Sequence, residues 1–439
     1  MTVLKNTKHP LKTPLSITPL GGVGEIGSNM VYIEAQNEAI IIDAGILFSS
    51  DELLGINYFI PDFRHIVDKE KLKAIIFTHA HEDHIGAAQH LFEEFPHLDV
   101  YASPLTEKFL LRKTYLAQSM NMKRLSENDL FTLGSYTVAA FNVAHSIPET
   151  FGVLFYSSLL KKSVIYISDF KIRAASSEVF PEDKINTSFL KERLKGTKER
   201  FLMADSTNIL RPGQTLGEDD LLKGLRGVFQ EAQGKLFITF FASNVHRFIN
   251  LLQLAHEHQK VVFLFGRSMR EIYDLFSDKL PNHLKSIVLA GEDELKKIPS
   301  SNLVVFATGS QGDQRGAVKR IANDECKLFS FTKDDSFLFS SNVIPGNEKK
   351  LSKIYNQLSL LGGRLFLHSR ENPLHASGHA SQGDLKDLYK MVNPTHIIPI
   401  HGESYFLVEH LKFAKKAHPK ATGMLLANHE SLVLDATVD

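Results

Sequence analysis

Short apolar runs that stop at a polar residue set the rhythm of the first part of this chain. Val31–Glu34 and Ala39–Ile42 read as strands, the second running into Asp43. Ala74–Phe77 is a short buried strand that runs into Thr78 and His79. Tyr136–Val143 alternates and ends near His145, Val164–Ile167 stops before Asp169, and Phe201–Met203 stops before Asp205. Far downstream, His396–Ile400 ends at His401. Between them, Ile85–Phe95 has helical spacing. Buried strands whose C-terminal ends each deliver a His or Asp predict one shared site at one edge of a sheet.

The rhythm changes between Arg211 and Leu361. Strands are expected at Lys235–Phe241, Val261–Phe265, Asn302–Ala307 and Ser336–Phe339. Helices are expected at Val245–His258, Arg270–Ser277 and Ala317–Asn323. Strands alternating with helices make a parallel sheet of their own. Because polar strand ends resume afterwards, this segment reads as a domain inserted into the first fold. The expected boundaries are 1–210 for the first part, 211–361 for the insertion and 362–439 for the second part, in an α/β chain.

Composition narrows the classes. The 439 residues allow two cores. No signal peptide is read at the start, and no stretch approaches the roughly 20 apolar residues of a membrane helix. One cysteine, Cys326, excludes an intrachain disulfide and thiolate metal sites and fits a reducing cytoplasm. Lys plus Arg equals Asp plus Glu at 50 each, which gives no global pull toward nucleic acid. Polyanion binding would need bound metal or a local patch. The patches are Lys108, Arg112, Lys113 with Lys123, Arg124, and the run Lys191–Arg200, each also readable as a solvated helix face.

One apparent motif is a decoy. Gly22-Val23-Gly24-Glu25-Ile26-Gly27 matches G-x-G-x-x-G, but a strand follows it where the dinucleotide fingerprint needs a helix, so a hairpin turn is expected. The strong signal is Thr78-His79-Ala80-His81-Glu82-Asp83-His84, after a buried strand and before a helix. Imidazole and carboxylate suit zinc, and a loop at a strand end can turn successive ligands toward one point. His79 and His81 would face one metal, Asp83 and His84 another, with Glu82 turned toward solvent. A solvated histidine-rich loop is the bland alternative. The Gly-rich turn Thr308–Gly312, before a helix, offers backbone donors to a phosphate through Ser310 and Gln311, unless it is a plain connector. Ser243, His246 and Arg247 invite the same reading.

His79-x-His81-x-Asp83-His84 resembles the signature of the metallo-β-lactamase superfamily. Asp43, in Ile-Ile-Asp-Ala-Gly, resembles its first motif, where the Asp orients the metal loop. His145 in His-Ser-Ile-Pro and Asp169 in Ser-Asp-Phe-Lys resemble the third and fourth motifs. Asp205, His379 and His401 resemble the three further motifs of the β-CASP branch. Pro19–Asn29, Ile60–Phe63, Asp205–Asn208, Phe241–Asn244, Thr308–Gly312, Ile344–Glu348, His375–Gln382 and Pro399–Glu403 resemble the ribonuclease J family, over nearly the whole chain. Two departures are expected: no further large C-terminal domain of that family's kind, and an unfamiliar stretch after Asp169, Ile172–Phe180 and then a charged helix.

The resemblance implies a metallo-β-lactamase αββα sandwich with an inserted α/β β-CASP domain. It implies two divalent cations, zinc or else manganese, one on His79, His81 and His145, the other on Asp83, His84 and His401, with Asp169 shared. It implies His379 as proton donor to the leaving oxygen, held by Asp205, with Asp83 also counted in the catalytic set. Ser377 and Gly378 belong to a small-residue loop suited to a phosphate, and His375 is expected to be structural. The implied activity is metal-dependent hydrolysis of RNA, 5′ to 3′ on single-stranded 5′-monophosphorylated RNA and also internally, in RNA decay and maturation. A cytoplasmic protein with no membrane contact is expected, and a homodimer is compatible. A DNA nuclease of the same fold, a small-molecule hydrolase and a non-catalytic RNA-binding subunit are the alternatives.

Overall fold

A computed structural model describes residues 14–49, 55–175, 178–181, 183–344 and 346–435. The chain divides into two compact units. The first comprises residues 1–173, 182–215 and 378–439; the second comprises 174–181 and 216–377.

Two seven-stranded sheets build the first unit. In spatial order, one runs Leu432–Leu434, Leu15–Gly21, Met30–Ala35, Glu38–Ile42, Leu72–Ile76, Asp99–Ala102, Asn121–Arg124. The other runs Asn128–Leu133, Tyr136–Val143, Thr150–Ser157, Lys162–Ile167, Glu199–Asp205, His396–Ile400, Thr422–Gly423. Their inner faces share one core, in which Ile17, Ile33, Ile42 and Ile76 of the first sheet meet Val138, Val153, Val164, Met203 and Ile398 of the second. The other face of the second sheet packs on the helices Thr187–Arg193, Gln382–Val392 and Ser404–Ala417 through Leu190, Leu385, Leu388, Tyr389 and Ala414. A sheet buried on both faces needs near-continuous apolar strands, and Lys162–Ile167 is buried at every position.

Parallel pairing fixes the functional edge. Glu38–Ile42, Leu72–Ile76, Asp99–Ala102 and Asn121–Arg124 are mutually parallel, so their C-terminal ends emerge on one side. Lys162–Ile167, Glu199–Asp205 and His396–Ile400 are likewise parallel. Asp43, Thr78, Asp169, Asp205 and His401 all lie at such ends.

The second unit holds a five-stranded, all-parallel sheet in the order Val261–Phe265, Leu303–Ala307, Leu236–Thr239, Ser336–Phe339, Arg364–Leu367. Its last strand lies beyond the 361 boundary expected from the sequence, because Leu365-Phe366-Leu367 is too short an apolar run to stand out. Among the described residues, no helix is long and apolar enough to cross a membrane.

Several local expectations need correction. Ile85–Phe95 is two helices, Glu82–Ile85 and Ala88–Glu94, since the Ala87 amide donates to Ala44 O across the loop. Lys191–Arg200 is not one charged helix face. The helix ends at Arg193, which pairs with Asp129, and Arg200 lies in a strand with its guanidinium on the carbonyls of Val392 and Leu194. The turn Thr308–Gly312 does not open a helix directly, as the next helix begins at Ala317 and has only six residues. Arg247 is fully buried and bonds Glu218, also fully buried, at 2.7 Å and Leu374 O at 3.0 Å. It is a structural ion pair, out of reach of a phosphate.

Candidate metal centre

The loop after Leu72–Ile76 is braced from behind by Asp43, which is wholly buried with a backbone φ of 61°. Its carboxylate accepts from Thr78 N at 2.8 Å and from Thr78 Oγ1 at 2.8 Å, and receives His84 Nδ1 at 2.7 Å. With Nδ1 engaged, His84 Nε2 points into the site, 3.0 Å from Asp169 Oδ1. Thr78 Oγ1 also lies 3.0 Å from His79 Nδ1, so His79 presents Nε2. His145 donates Nδ1–H to Gly378 O at 2.8 Å, which leaves its Nε2 as a lone pair. That contact explains the glycine, since a Cβ at 378 would lie 2.4 Å from His145 Cε1. A carbonyl partner on one ring nitrogen is what orients a histidine as a metal ligand.

Three donor groups converge, each with one atom per residue within 4.8 Å of the others. They are His79, His81, His145 with Asp169; Asp83, His84 with His401; and Asp169, His379 with His401. All of these residues belong to the first unit.

The residues present fit divalent cations, on two observations. His79 Nε2 and His145 Nε2 each lie 3.1 Å from His81 Nδ1, and one proton on His81 cannot satisfy both. Lone pairs aimed at each other repel unless a cation sits between them. Zinc–nitrogen bonds of about 2.0–2.1 Å in a tetrahedron place nitrogens roughly 3.3–3.4 Å apart, close to what is seen. Second, both oxygens of Asp169 are buried with no well-aligned hydrogen bond to either, and what surrounds them is imidazole nitrogen, His84 Nε2 nearest at 3.0 Å. Buried carboxylate oxygens without well-aligned donors are costly unless an ion takes them up.

Electrostatics divides the imidazoles. Burial pushes His79 and His145 well down and His81 down to about 4, so these three are neutral at pH 7. Burial would also lower His84, but Asp169, Asp43 and Asp83 outweigh it and hold that ring well up. Burial at His401 is outweighed by Asp169, Asp205 and Asp83, which bring it up to about 10. A divalent cation there would displace those protons. Burial raises carboxylates, yet the charges of His84, His401 and His379 hold Asp169 well below its ordinary range.

His401 adopts a left-handed φ of 52°, and the decoy loop explains how. Its amide donates to Gly22 O at 2.7 Å, and Val23–Gly24 pairs in parallel with Gly402–Glu403. The glycine loop is thus the turn of the antiparallel pair Leu15–Gly21 and Met30–Ala35 and a brace for His401. Asn29, from the same loop, donates its backbone and side-chain amides to Asp83 O at 3.0 and 3.2 Å.

His379 sits beside this cluster. Its Nδ1 lies 3.0 Å from Asp205 Oδ2 and 3.6 Å from Asp169 Oδ2. Its side chain is 23% exposed, so the site is open on that flank. Burial lowers a histidine, but Asp205 and Asp169 prevail here and keep His379 above its ordinary value. The backbone is pinned as well, with Asn208 Nδ2 and Thr215 Oγ1 donating to His379 O at 3.0 and 2.8 Å. No local spacing reveals Asn208, Thr215, Thr207 or Asn29, because their side chains bond backbone or ring atoms far away in sequence, Thr207 Oγ1 lying 3.1 Å from His401 Nδ1.

Glu82 is exposed and paired with Lys113 at 2.6 Å. Ser243, Ser310 and Ser377 belong to the second unit. Gln311 is there too, with its side-chain amide taken up by Asn342 O and Ile344 N at 2.8 Å each. Its bonding fits a brace for residues 342–344 better than a phosphate contact.

Behind Asp205, His410 is fully buried between Ser206 Oγ at 2.8 Å and Tyr389 OH at 2.7 Å. Burial pushes it down to about 4, so it folds neutral. Between about pH 6.5 and 4 the unfolded chain takes the proton and the folded one does not, so stability falls as pH falls through that window. The shift corresponds to about 3 kcal/mol at most. Urea midpoints from pH 7.5 to 4.5 should therefore show His410→Gln less stable than wild type at pH 7.5 but losing less on acidification. Parallel curves would contradict this.

Three segments of the chain match known families. Residues 23–153 match the metallo-beta-lactamase superfamily. Residues 233–358 match "Ribonuclease J, beta-CASP domain", and 369–420 match "Zn-dependent metallo-hydrolase RNA specificity domain". Ribonuclease J of Sinorhizobium meliloti is 34% identical over 90% of this chain and 70% of its own length. Ribonuclease J of Mycoplasma genitalium is 31% identical over 89% and 68%. That of Helicobacter pylori (strain 26695) is 32% identical over 92% of this chain, which spans only 58% of that relative. A solved Enterococcus faecalis protein of unknown function shares the fold, with a TM-score of 0.66 at 15% identity, covering 96% of this chain and 100% of that one. With three matching segments along its length and relatives above 30% identity over most of the chain, this protein belongs to the ribonuclease J family of metal-dependent ribonucleases, in the β-CASP branch of the metallo-β-lactamase superfamily.

Proposed function

We propose that this chain hydrolyses RNA phosphodiesters with two divalent cations, acting 5′ to 3′ on single-stranded RNA that carries a 5′-monophosphate. One observation carries the reading: seven side chains from positions 79 to 401 converge into two adjoining donor sets. His79, His81 and His145 would hold one cation and Asp83, His84 and His401 the other, with Asp169 between them. Zinc or manganese would supply Lewis acidity and lower the pKa of water toward neutrality.

The chain's own groups do the rest. Asp43 and Thr78 fix the ring orientations of His84 and His79. Gly378 O fixes His145. His379, held protonated by Asp205, gives a proton to the departing 3′ oxygen. The match of residues 369–420 to an RNA specificity domain supports RNA over DNA. The single cysteine, buried and unpaired, fits a reducing cytoplasm.

The test is cleavage of 5′-end-labelled RNA with a monophosphate or a triphosphate end, beside DNA of equal length, with and without chelator. Mononucleotides from the monophosphorylated RNA alone, lost on chelation, are expected. Internal fragments from both RNAs would replace the exonuclease reading with an endonuclease one. No cleavage of RNA by metal-loaded protein would defeat the ribonuclease reading.

A further inference from the structure

The helix Pro104–Lys113 is tied at both ends to loops that carry donor residues. At its start, Leu105 N donates to Glu149 Oε2 at 2.7 Å, four residues past His145. At its end, Lys113 Nζ bonds Glu82 Oε2 at 2.6 Å, inside the loop that bears His81 and Asp83. The helix therefore bridges the two loops that hold the donor sets. A charge imbalance follows it. From Pro104 to Arg124 the sequence carries five cations, Lys108, Arg112, Lys113, Lys123 and Arg124, and one carboxylate, Glu107; Lys113 is taken up by Glu82 and Lys108 and Arg112 are engaged elsewhere, which leaves the exposed Lys123 and Arg124 to set the local charge. In a chain of zero net charge this is a local positive field.

An aromatic ring stands in that field. The helix stops at Thr114, and Tyr115 opens a short 3-10 turn with 74% of its surface exposed, more than any other aromatic among the described residues. The turn feeds the edge strand Asn121–Arg124, on which Lys123 and Arg124 are exposed. That strand is parallel to Asp99–Ala102 and Leu72–Ile76, so Arg124 emerges on the same sheet edge as His79, two strands away. Neighbouring strands are about 4.8 Å apart, which puts the two ends roughly 10 Å from each other. Charges on an edge strand also discourage sheet-to-sheet pairing. That role does not call for an exposed tyrosine beside them.

We propose that this face, Tyr115 on the turn with Lys123 and Arg124 on the edge strand, is a track for single-stranded RNA outside the metal centre, with Tyr115 stacking on an unpaired base. The inference rests on the ribonuclease reading for the nature of the ligand. Cations tracking the backbone and an aromatic ring taking any base give affinity without sequence preference. A duplex keeps its bases stacked and offers none to Tyr115.

The experiment measures binding of a fluorescent 16-nucleotide RNA to the full chain by anisotropy, in chelator so that nothing is cut. Tyr115→Ala should weaken binding about tenfold, and Tyr115→Phe should bind as wild type does. Replacing Lys123 and Arg124 together by Gln should flatten the slope of log K against log salt by about 1.4, at about 0.7 per lost contact. Equal affinity of Tyr115→Ala and wild type, as for a face that serves a protein partner, would overturn the proposal. So would a wild type that binds no RNA under these conditions. Because no hydrolysis is read, a failure here is separate from a failure of the cleavage assay.

Discussion

Replacing Asp169 by alanine is expected to lower RNA hydrolysis at least about 1,000-fold and to bring bound metal from two ions per chain to one or none. A metal's electrophilic contribution is worth several kcal/mol, and each 1.4 kcal/mol is about tenfold in rate. Asp169 deserves the largest effect because of what surrounds it. It is 2% exposed, and His84, His145, His401 and His79 place ring nitrogens 3.0, 3.4, 3.5 and 3.7 Å from its oxygens. Among the described residues, no other carboxylate comes within 4.0 Å of ring nitrogens from both histidine sets. Without it, imidazoles converge with too little negative charge to hold two divalent ions. Asp169→Asn keeps the shape and removes the charge, so an equal loss there would assign the effect to charge. Elemental analysis beside the rate separates this account from simple misfolding. A variant with two ions and wild-type rate would refute it.

The second large effect is at His379. His379→Ala is expected to reduce kcat by about 100- to 10,000-fold, the usual worth of a positioned acid, with KM and metal content nearly unchanged. The geometry supports this split. His379, like His81, is a partly exposed imidazole of the cluster, its Nδ1 is spent on Asp205, and its backbone is pinned by Asn208 and Thr215 independently of the ring. Asp205→Asn should lose less, since it weakens the hold on the proton without removing the donor. If His379→Ala instead emptied a metal site, His379 would be a ligand, as its place in a donor set with Asp169 and His401 allows.

How much of this could be read from the sequence varies with the distance over which each fact is decided. The strand ends were legible because a buried strand announces itself by a short apolar run, and the polar residue that stops it marks the edge. The loop His79–His84 was legible because its donors are neighbours in the chain. The brace on His401 was not. Gly22–Gly27 looked like a nucleotide motif or a bare turn, and only pairing with Gly402–Glu403 shows its part. Arg247 looked available to a phosphate because its partner, Glu218, is 29 residues away and both are buried. His410 left no trace at all. Its partners, Ser206 and Tyr389, are brought to it by the fold, and a lone histidine on a helix carries no spacing to read. The helix break at Gly86–Ala87 was hidden for the same reason, as one amide is diverted to a residue of another loop.

The convergence of His79, His81, His145, Asp169, Asp83, His84 and His401 on two cations is best tested by anomalous diffraction from crystals of the full chain grown with zinc. Two strong peaks, one among His79, His81 and His145 and one among Asp83, His84 and His401, are the expected result. A single peak elsewhere, or none in either donor set at saturating zinc, would contradict it.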